Sequence, residues 1–265
     1  MAAAQEARHS APWLIVLLFG LIASCASRGV AVVEDIEYLD GYKLDIHYPE
    51  SGDSHPVLVL LHGAGLTRYA YRPFAQRAAG RGAVVFNVEW DVVPRLWADA
   101  LEQAGCAVRY AKGHAEEYGG DPQRVVLVGH SSGAVFAGRV ATDGEALDLH
   151  CPGGDSAVPR ALALVAPSQA PGGPGPWPRT TLTGDPNLRV GVIHGQGDAV
   201  IPPRVSEATA RILHQQGYDV ELYLIPGGHY DILGIDPFTS PPGDRSESTE
   251  VNPDEAIDLI IGLAQ

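Results

Sequence analysis

The sequence predicts an α/β fold, with a mostly parallel central sheet and helices on both faces, and three observations carry that reading. Six apolar runs of strand length are separated by stretches with helical spacing, the alternation that builds a doubly wound sheet. The runs are continuously apolar instead of alternating with polar residues, as strands covered on both faces require. A chain of 265 residues, 45% hydrophobic and 19% charged, can also bury a sizeable core.

The elements follow in order. Ile36 to Leu39 and Tyr42 to His47 flank Asp40-Gly41, a hairpin signal. Val57 to Leu61 (VLVLL) is the first continuously apolar strand, followed by Ala83 to Val88, Val125 to Val128, Ala161 to Val165, Val190 to Ile193 and, less purely, Val220 to Ile225. Helical patterns cover Thr67 to Ala79, Pro94 to Tyr118, Ser132 to Ala141, Arg204 to Gln216 and Pro253 to Ala264. The last opens with Asn252 as N-cap, Pro253 at the first helical position, and Asp254 and Glu255 in the first turn. Pro167 to Pro186 and Pro237 to Val251, rich in turn-forming residues, read as surface loops.

Composition excludes several classes. With 18 basic against 32 acidic residues the net charge is -14, the wrong sign for a nucleic-acid backbone or an anionic membrane surface. Neutral or cationic small molecules are the favoured substrates. No cluster of His, Cys, Asp or Glu has metal-ligand spacing and no Gly-rich loop carries a phosphate-binding Lys, so neither metal nor cofactor is expected.

Three segments carry chemistry. Gly129-His130-Ser131-Ser132-Gly133 forms G-x-S-x-G, a weak pattern alone. Here an apolar strand runs into it and a helix follows, the setting in which glycines allow a strained nucleophile, Ser131, to project from a sheet. His62-Gly63-Ala64-Gly65 follows another buried strand, and its small residues let the amides of Ala64 or Gly65, with that of Ser132, approach a developing oxyanion. Asp198 and His229 each sit just past the end of a strand. In a parallel sheet such ends share one edge, so Ser131, Asp198 and His229 converge. A serine hydroxyl needs an imidazole to take its proton and a carboxylate to hold that imidazole in the right tautomer. Asp231 is a rival acid, while His62, His130 and His194 read as structural supports. Trp90 and Asp91, at another strand end, are candidate pocket residues.

The chain order Ser, Asp, His, with the elbow and the His-Gly-x-Gly loop ahead of it, resembles the α/β-hydrolase superfamily from about Val32 to Leu263. Within it, His62 to Gly65 and the GHSSGA segment look like the esterase branch that includes hormone-sensitive lipase, feruloyl and acetylxylan esterase-like enzymes and kynurenine formamidase. Ala64 stands where that branch often has Gly. The stretch after Val165 is too short for the cap domain many lipases carry. The resemblance therefore implies an α/β-hydrolase fold without a large cap, and a serine esterase acting on small or accessible esters. Amide or peptide hydrolysis and acyl transfer on the same triad are the alternatives, as is a non-catalytic surface-binding lipoprotein.

The N-terminus has its own reading. Trp13 to Ile22 is an uncharged apolar run, too short to span a bilayer but of signal-peptide length. Ile22-Ala23-Ser24-Cys25 resembles a bacterial lipoprotein signal, which implies cleavage after residue 24, a lipid on Cys25, a tether over residues 25–31 and one domain over 32–265. A plain signal cut between Cys25 and Ser27 and an uncleaved anchor remain open, and no oligomeric state is implied. If the chain is exported, Cys106 and Cys151 form an even pair in an oxidising compartment. Cys106 lies off the stripe of Trp97, Leu101, Ala104 and Val108, a position from which it can face a neighbouring loop, and a Cys106 to Cys151 disulfide is one reading; two unpaired small residues are the other.

Overall fold

An antiparallel hairpin of β1 (Val30–Leu39) and β2 (Tyr42–Pro49) turns at Asp40-Gly41, where Gly41 has φ of 75°. That left-handed backbone is open to glycine without steric cost. The computed structural model describes residues 29–92, 97–144, 147, 149–152, 156–178, 185, 187–235 and 252–265. The expected signal segment with Cys25, most of the tether, the first turn of the helix expected from Pro94 and the loop from Pro237 to Val251 lie outside the described residues.

Among the described residues, six further strands extend the sheet: β3 (His55–Leu61), β4 (Val84–Val88), β5 (Gly120–His130), β6 (Ala161–Val165), β7 (Arg189–Gly195) and β8 (Asp219–Ile225). Their order is β1-β2-β4-β3-β5-β6-β7-β8, antiparallel from β1 to β4 and parallel from β4 to β8. Among the described residues, four α-helices lie between strands, α1 (Arg68–Gly80), α2 (Trp97–His114), α3 (Ser132–Asp143) and α4 (Arg204–Gln215), and α5 (Asp254–Gly262) follows the last strand. Parallel crossovers are right-handed, so the direction of each step along the sheet decides which face receives the helix. The step from β3 to β4 puts α1 on one face; those from β4 to β5, β5 to β6 and β7 to β8 run the other way and put α2, α3 and α4 opposite. The reversal falls between β3 and β5, whose following helices leave on opposite faces and open a crevice at the strands' C-terminal ends.

Strands β3 to β8 feed both core layers. In β3, Val57, Val59 and Leu61 pack with α2 and α3, while Leu58 and Leu60 pack with α1 and α5. This is why the strand reads as an unbroken apolar run. At the antiparallel end the buried Arg68, at the start of α1, pairs with Asp35 and Asp45 of the hairpin, and its amide donates to Glu89 just past β4 at 3.0 Å. His47 of β2, between Val32 and Val85, is buried with neither ring nitrogen hydrogen-bonded among the described residues. Burial pulls its pKa down to about 4.

Three expectations are corrected. The strand expected over Val125 to Val128 begins at Gly120, because its first residues pair with the start of β3 across a bulge despite their polar side chains. The Pro-rich stretch from Pro167 is not all surface: Trp177 is fully buried against α3, where Gly138 leaves a notch in which any Cβ would fall 2.4 Å from the indole. Pro253, not Asn252, takes the N-cap backbone position of α5, yet the Asn252 side chain accepts from the amide of Asp254 at 3.1 Å and caps the helix. Among the described residues there is no large cap domain.

Cys106, buried on α2, is disulfide-bonded to Cys151 across a Cα–Cα distance of 5.8 Å and a sequence separation of 45. A loop of that size makes the crosslink worth about 2–4 kcal/mol through the unfolded chain. The double variant Cys106→Ala/Cys151→Ala is expected to lose that much in guanidinium unfolding, and wild type in reductant should lose a similar amount.

Candidate active site

The close approach of α3 to the sheet shapes the first part of the site. A Cβ on Gly133 would lie 2.5 Å from the Leu61 carbonyl oxygen and 2.6 Å from that of His62; one on Gly129 would lie 2.6 Å from Ala134 Cα. Only glycine fits either position. Between them the chain turns sharply from β5 into α3, and Ser131 adopts φ 55° and ψ -117°, a backbone region that strains any residue with a Cβ. Hydrogen bonds hold the turn: the Ser131 amide donates to Val165 O at 2.9 Å, and Ser131 O accepts from the amides of Ser168 at 3.1 Å and Ala134 at 3.2 Å. Ser132 begins α3, so its amide is among those at the helix N-terminus with no acceptor inside the helix.

The second part is assembled from the ends of β7 and β8. His130 pairs with Val165, Val165 with Ile193 and Gly195 with Ile225, so the loops that follow leave from one edge. The Asp and His loops are stitched together: Gln196 N donates to Ile225 O at 2.8 Å and Gly197 N to Gly227 O at 2.9 Å. Asp198 Oδ2 accepts from His229 Nδ1 at 2.7 Å and lies 3.1 Å from His194 Nε2. Its Oδ1 accepts from the amides of Val200 and Ile201, each at 2.8 Å. Burial pushes the Asp198 carboxyl up, but the Ile201 amide, His229 and the Val200 amide outweigh it and leave its pKa below the ordinary carboxylate value. With Nδ1–H given to Asp198, His229 keeps Nε2 as the nitrogen able to accept a proton. Asp231 instead accepts from the amide of Gly228 at 3.1 Å and braces the His loop.

The third part is the turn after β3. Gly63 donates its amide to the Tyr71 hydroxyl at 2.8 Å, and Leu66 N closes the turn on Gly63 O at 3.3 Å. Ala64 and Gly65 form the exposed tip, and among the described residues no acceptor engages their amides. Gly63 is therefore spoken for, and Ala64 and Gly65 are the loop's available donors. Trp90 is buried between His62, at 5.6 Å between ring centroids, and Phe136 of α3, edge-on at 4.8 Å. Asp91 is exposed and turned toward Tyr42, whose hydroxyl it accepts at 2.6 Å; that hydrogen bond and burial raise the Tyr42 pKa to about 12.

Sequence reasoning did not single out Tyr71, and it read His194 as a support without naming what it supports. Tyr71 looked like one more core residue on α1, and only its polar tip on an otherwise apolar face hinted otherwise. His194, read as structural, is a second donor facing Asp198, with Ser206 Oγ 2.6 Å from its Nδ1 and Ile201 O 3.0 Å from its Nε2. Beneath the elbow, His130 is completely buried and burial pulls its pKa down to about 3, with His229 adding to the effect.

The BD-FAE family model matches residues 44–158, from β2 past the elbow. MGS-M1, an alpha/beta hydrolase enzyme from a Medee basin deep-sea metagenome library, superposes with a TM-score of 0.63 at 19% identity, over 89% of this chain and 99% of that one. The chain has the α/β-hydrolase fold. Gut esterase 1 of Caenorhabditis elegans is 29% identical to this chain over 118 residues, 38% of this chain and 21% of that one. Carboxylesterase NlhH of Mycobacterium tuberculosis is 31% identical over 98 residues, 35% of this chain and 31% of the relative. These matches thus span between a fifth and a third of the relatives' length.

Two outcomes follow from this packing and burial. Gly133→Ala must push α3 off β3, at an overpacking cost of about 1–3 kcal/mol, measurable as a lowered unfolding midpoint. The buried imidazoles of His47 and His130 stay neutral in the fold but take protons in the unfolded chain below its ordinary value of about 6.5, so stability falls as pH drops from there toward their folded values near 4 and 3. Each contributes a slope of about 1.4 kcal/mol per pH unit, and His47→Gln should remove one such contribution in denaturant titrations between pH 6 and pH 4.5.

Proposed function

We propose that this chain hydrolyses carboxylic esters of small or accessible substrates through an acyl-enzyme. The observation that carries this reading is the His229 to Asp198 hydrogen bond of 2.7 Å at the same sheet edge as the strained Ser131. In the proposed reaction His229 Nε2 takes the Ser131 proton as Oγ attacks the ester carbonyl. Asp198 keeps the imidazole in that tautomer and stabilises it once charged. The amides of Ala64 or Gly65 and of Ser132 receive the oxyanion, a type of contact worth about 3 kcal/mol per donor. Collapse of the tetrahedral intermediate breaks the bond to the alcohol oxygen, and His229 returns its proton to that oxygen. Water then attacks the acyl-Ser131 ester by the same steps, releasing the acid. No step draws on a metal or cofactor.

Accessible substrates are favoured because no large cap covers the described sheet edge, and neutral or cationic ones because the net charge is -14. We place the enzyme outside the cytoplasm, anchored by a lipid on Cys25. The apolar run ending in Ile22-Ala23-Ser24-Cys25 supports this, and so does the Cys106–Cys151 bond, since such crosslinks persist in oxidising compartments.

Short p-nitrophenyl esters test the chemistry. Ser131→Ala should lower kcat/KM by about 10⁴-fold or more, and a fluorophosphonate probe should label Ser131 in wild type only. Turnover by Ser131→Ala at the wild-type rate would sink the mechanism.

A further inference from the structure

Tyr71 is fully buried on α1, and its ring packs in the α1 and α5 core layer beside Phe74 and Ala78. Packing explains the ring but not the hydroxyl. That oxygen accepts from Gly63 N at 2.8 Å and lies 2.6 Å from His130 Nδ1. The other ring nitrogen, His130 Nε2, lies 2.8 Å from the carbonyl oxygen of His229. A carbonyl can only accept, so Nε2 carries the ring proton, Nδ1 is bare, and the Tyr71 hydroxyl donates to it. The chain of hydrogen bonds then has one direction, from the Gly63 amide through Tyr71 and His130 to the backbone of His229.

The two ends of this chain stand on either side of the nucleophile. Gly63 immediately precedes Ala64 and Gly65, and a Cβ on it would lie 3.1 Å from Ser131 Cβ and 3.4 Å from both His130 Nδ1 and the Tyr71 hydroxyl. At the other end is the residue proposed as the base. We propose that Tyr71, acting through His130, is a positioning residue that sets the spacing between the oxyanion loop and His229 across Ser131. The proposal rests on the ester-hydrolase reading of that triad. Tyr71 touches neither substrate nor any reacting atom. It engages the Gly63 amide, turning that donor away from the oxyanion and leaving Ala64 and Gly65 for it, and it fixes the face of His130 that holds the His229 backbone. Its burial makes both bonds obligatory, because Gly63 N and His130 Nδ1 have no water to turn to.

Tyr71→Phe keeps the ring and removes the link. Displacement of reacting groups by a fraction of an ångström to one ångström lowers turnover by about 10- to 100-fold, so kcat on a short p-nitrophenyl ester should fall in that range while KM changes by less than about twofold. His130→Gln puts an amide NH2 toward the His229 carbonyl, where Nε2 stood, but no acceptor at the position of Nδ1 facing Tyr71, and should cost a similar factor. If the two residues act as one chain, Tyr71→Phe/His130→Gln should be no slower than the slower single variant. A kcat for Tyr71→Phe within about twofold of wild type, whatever its thermal stability, would overturn the proposal, and so would single-variant losses that multiply in the double. Ser131→Ala separates this failure from a deeper one: an inactive Ser131→Ala alongside a fully active Tyr71→Phe leaves the triad standing without the chain. Wild-type turnover by Ser131→Ala would remove the hydrolase reading and this positioning role with it.

Discussion

Everything at the C-terminal edge of the sheet depends on how closely α3 approaches β3. With Gly133 against the carbonyls of Leu61 and His62, and Gly129 against Ala134, the turn between β5 and α3 has no slack. That tightness puts Ser131 in its left-handed conformation, lifts it out of the sheet and brings the first amides of α3 beside the turn that follows β3. Two backbone segments 69 residues apart, at His62 and Ser131, thereby become neighbours without any side chain between them. The handedness of the crossovers makes the approach possible, since α1 and α3 leave their strands on opposite faces and do not compete for the crevice.

The electrostatics around that turn are local, despite the strong overall negative charge. Asp198 is hidden from solvent, yet donors converge on both of its oxygens, so its charge is spread over fixed dipoles and imidazoles instead of water. His130 solves the opposite problem. Buried beside another imidazole, it stays uncharged, and an uncharged ring can accept on one nitrogen and donate on the other. One histidine is thus used for its two-sided hydrogen bonding, while its neighbour His229 is held through Nδ1 by Asp198.

The sequence made the parallel strands legible because burial on both faces leaves an uninterrupted apolar signature, as in Val57 to Leu61. The hairpin was legible from Asp40-Gly41, and the elbow from two glycines whose spacing has a steric cause. Asp198 and His229 could be paired because strand ends converge whatever their distance along the chain. What the sequence concealed depends on depth. Trp177 sits in a Pro- and Gly-rich stretch that looks like surface, and only the notch at Gly138 on another element turns it inward. Tyr71 is indistinguishable from a core aromatic until its hydroxyl is placed between Gly63 and His130, two residues from different strand ends. His194, near the end of β7, and Asp198, in the loop after it, are four residues apart with no helical period, so their contact rests on the loop's tertiary path. The beginning of β5 carries polar residues and joins the sheet only through its partner.

The conformation of Ser131 has a consequence for how this chain can drift. A residue with a Cβ held in that backbone region costs about 1–3 kcal/mol that glycine would not. Mutation to glycine is therefore downhill for folding at the very position where it removes the hydroxyl. A lineage released from selection on that hydroxyl would gain stability by losing it, and a serine that persists there works against the fold that carries it.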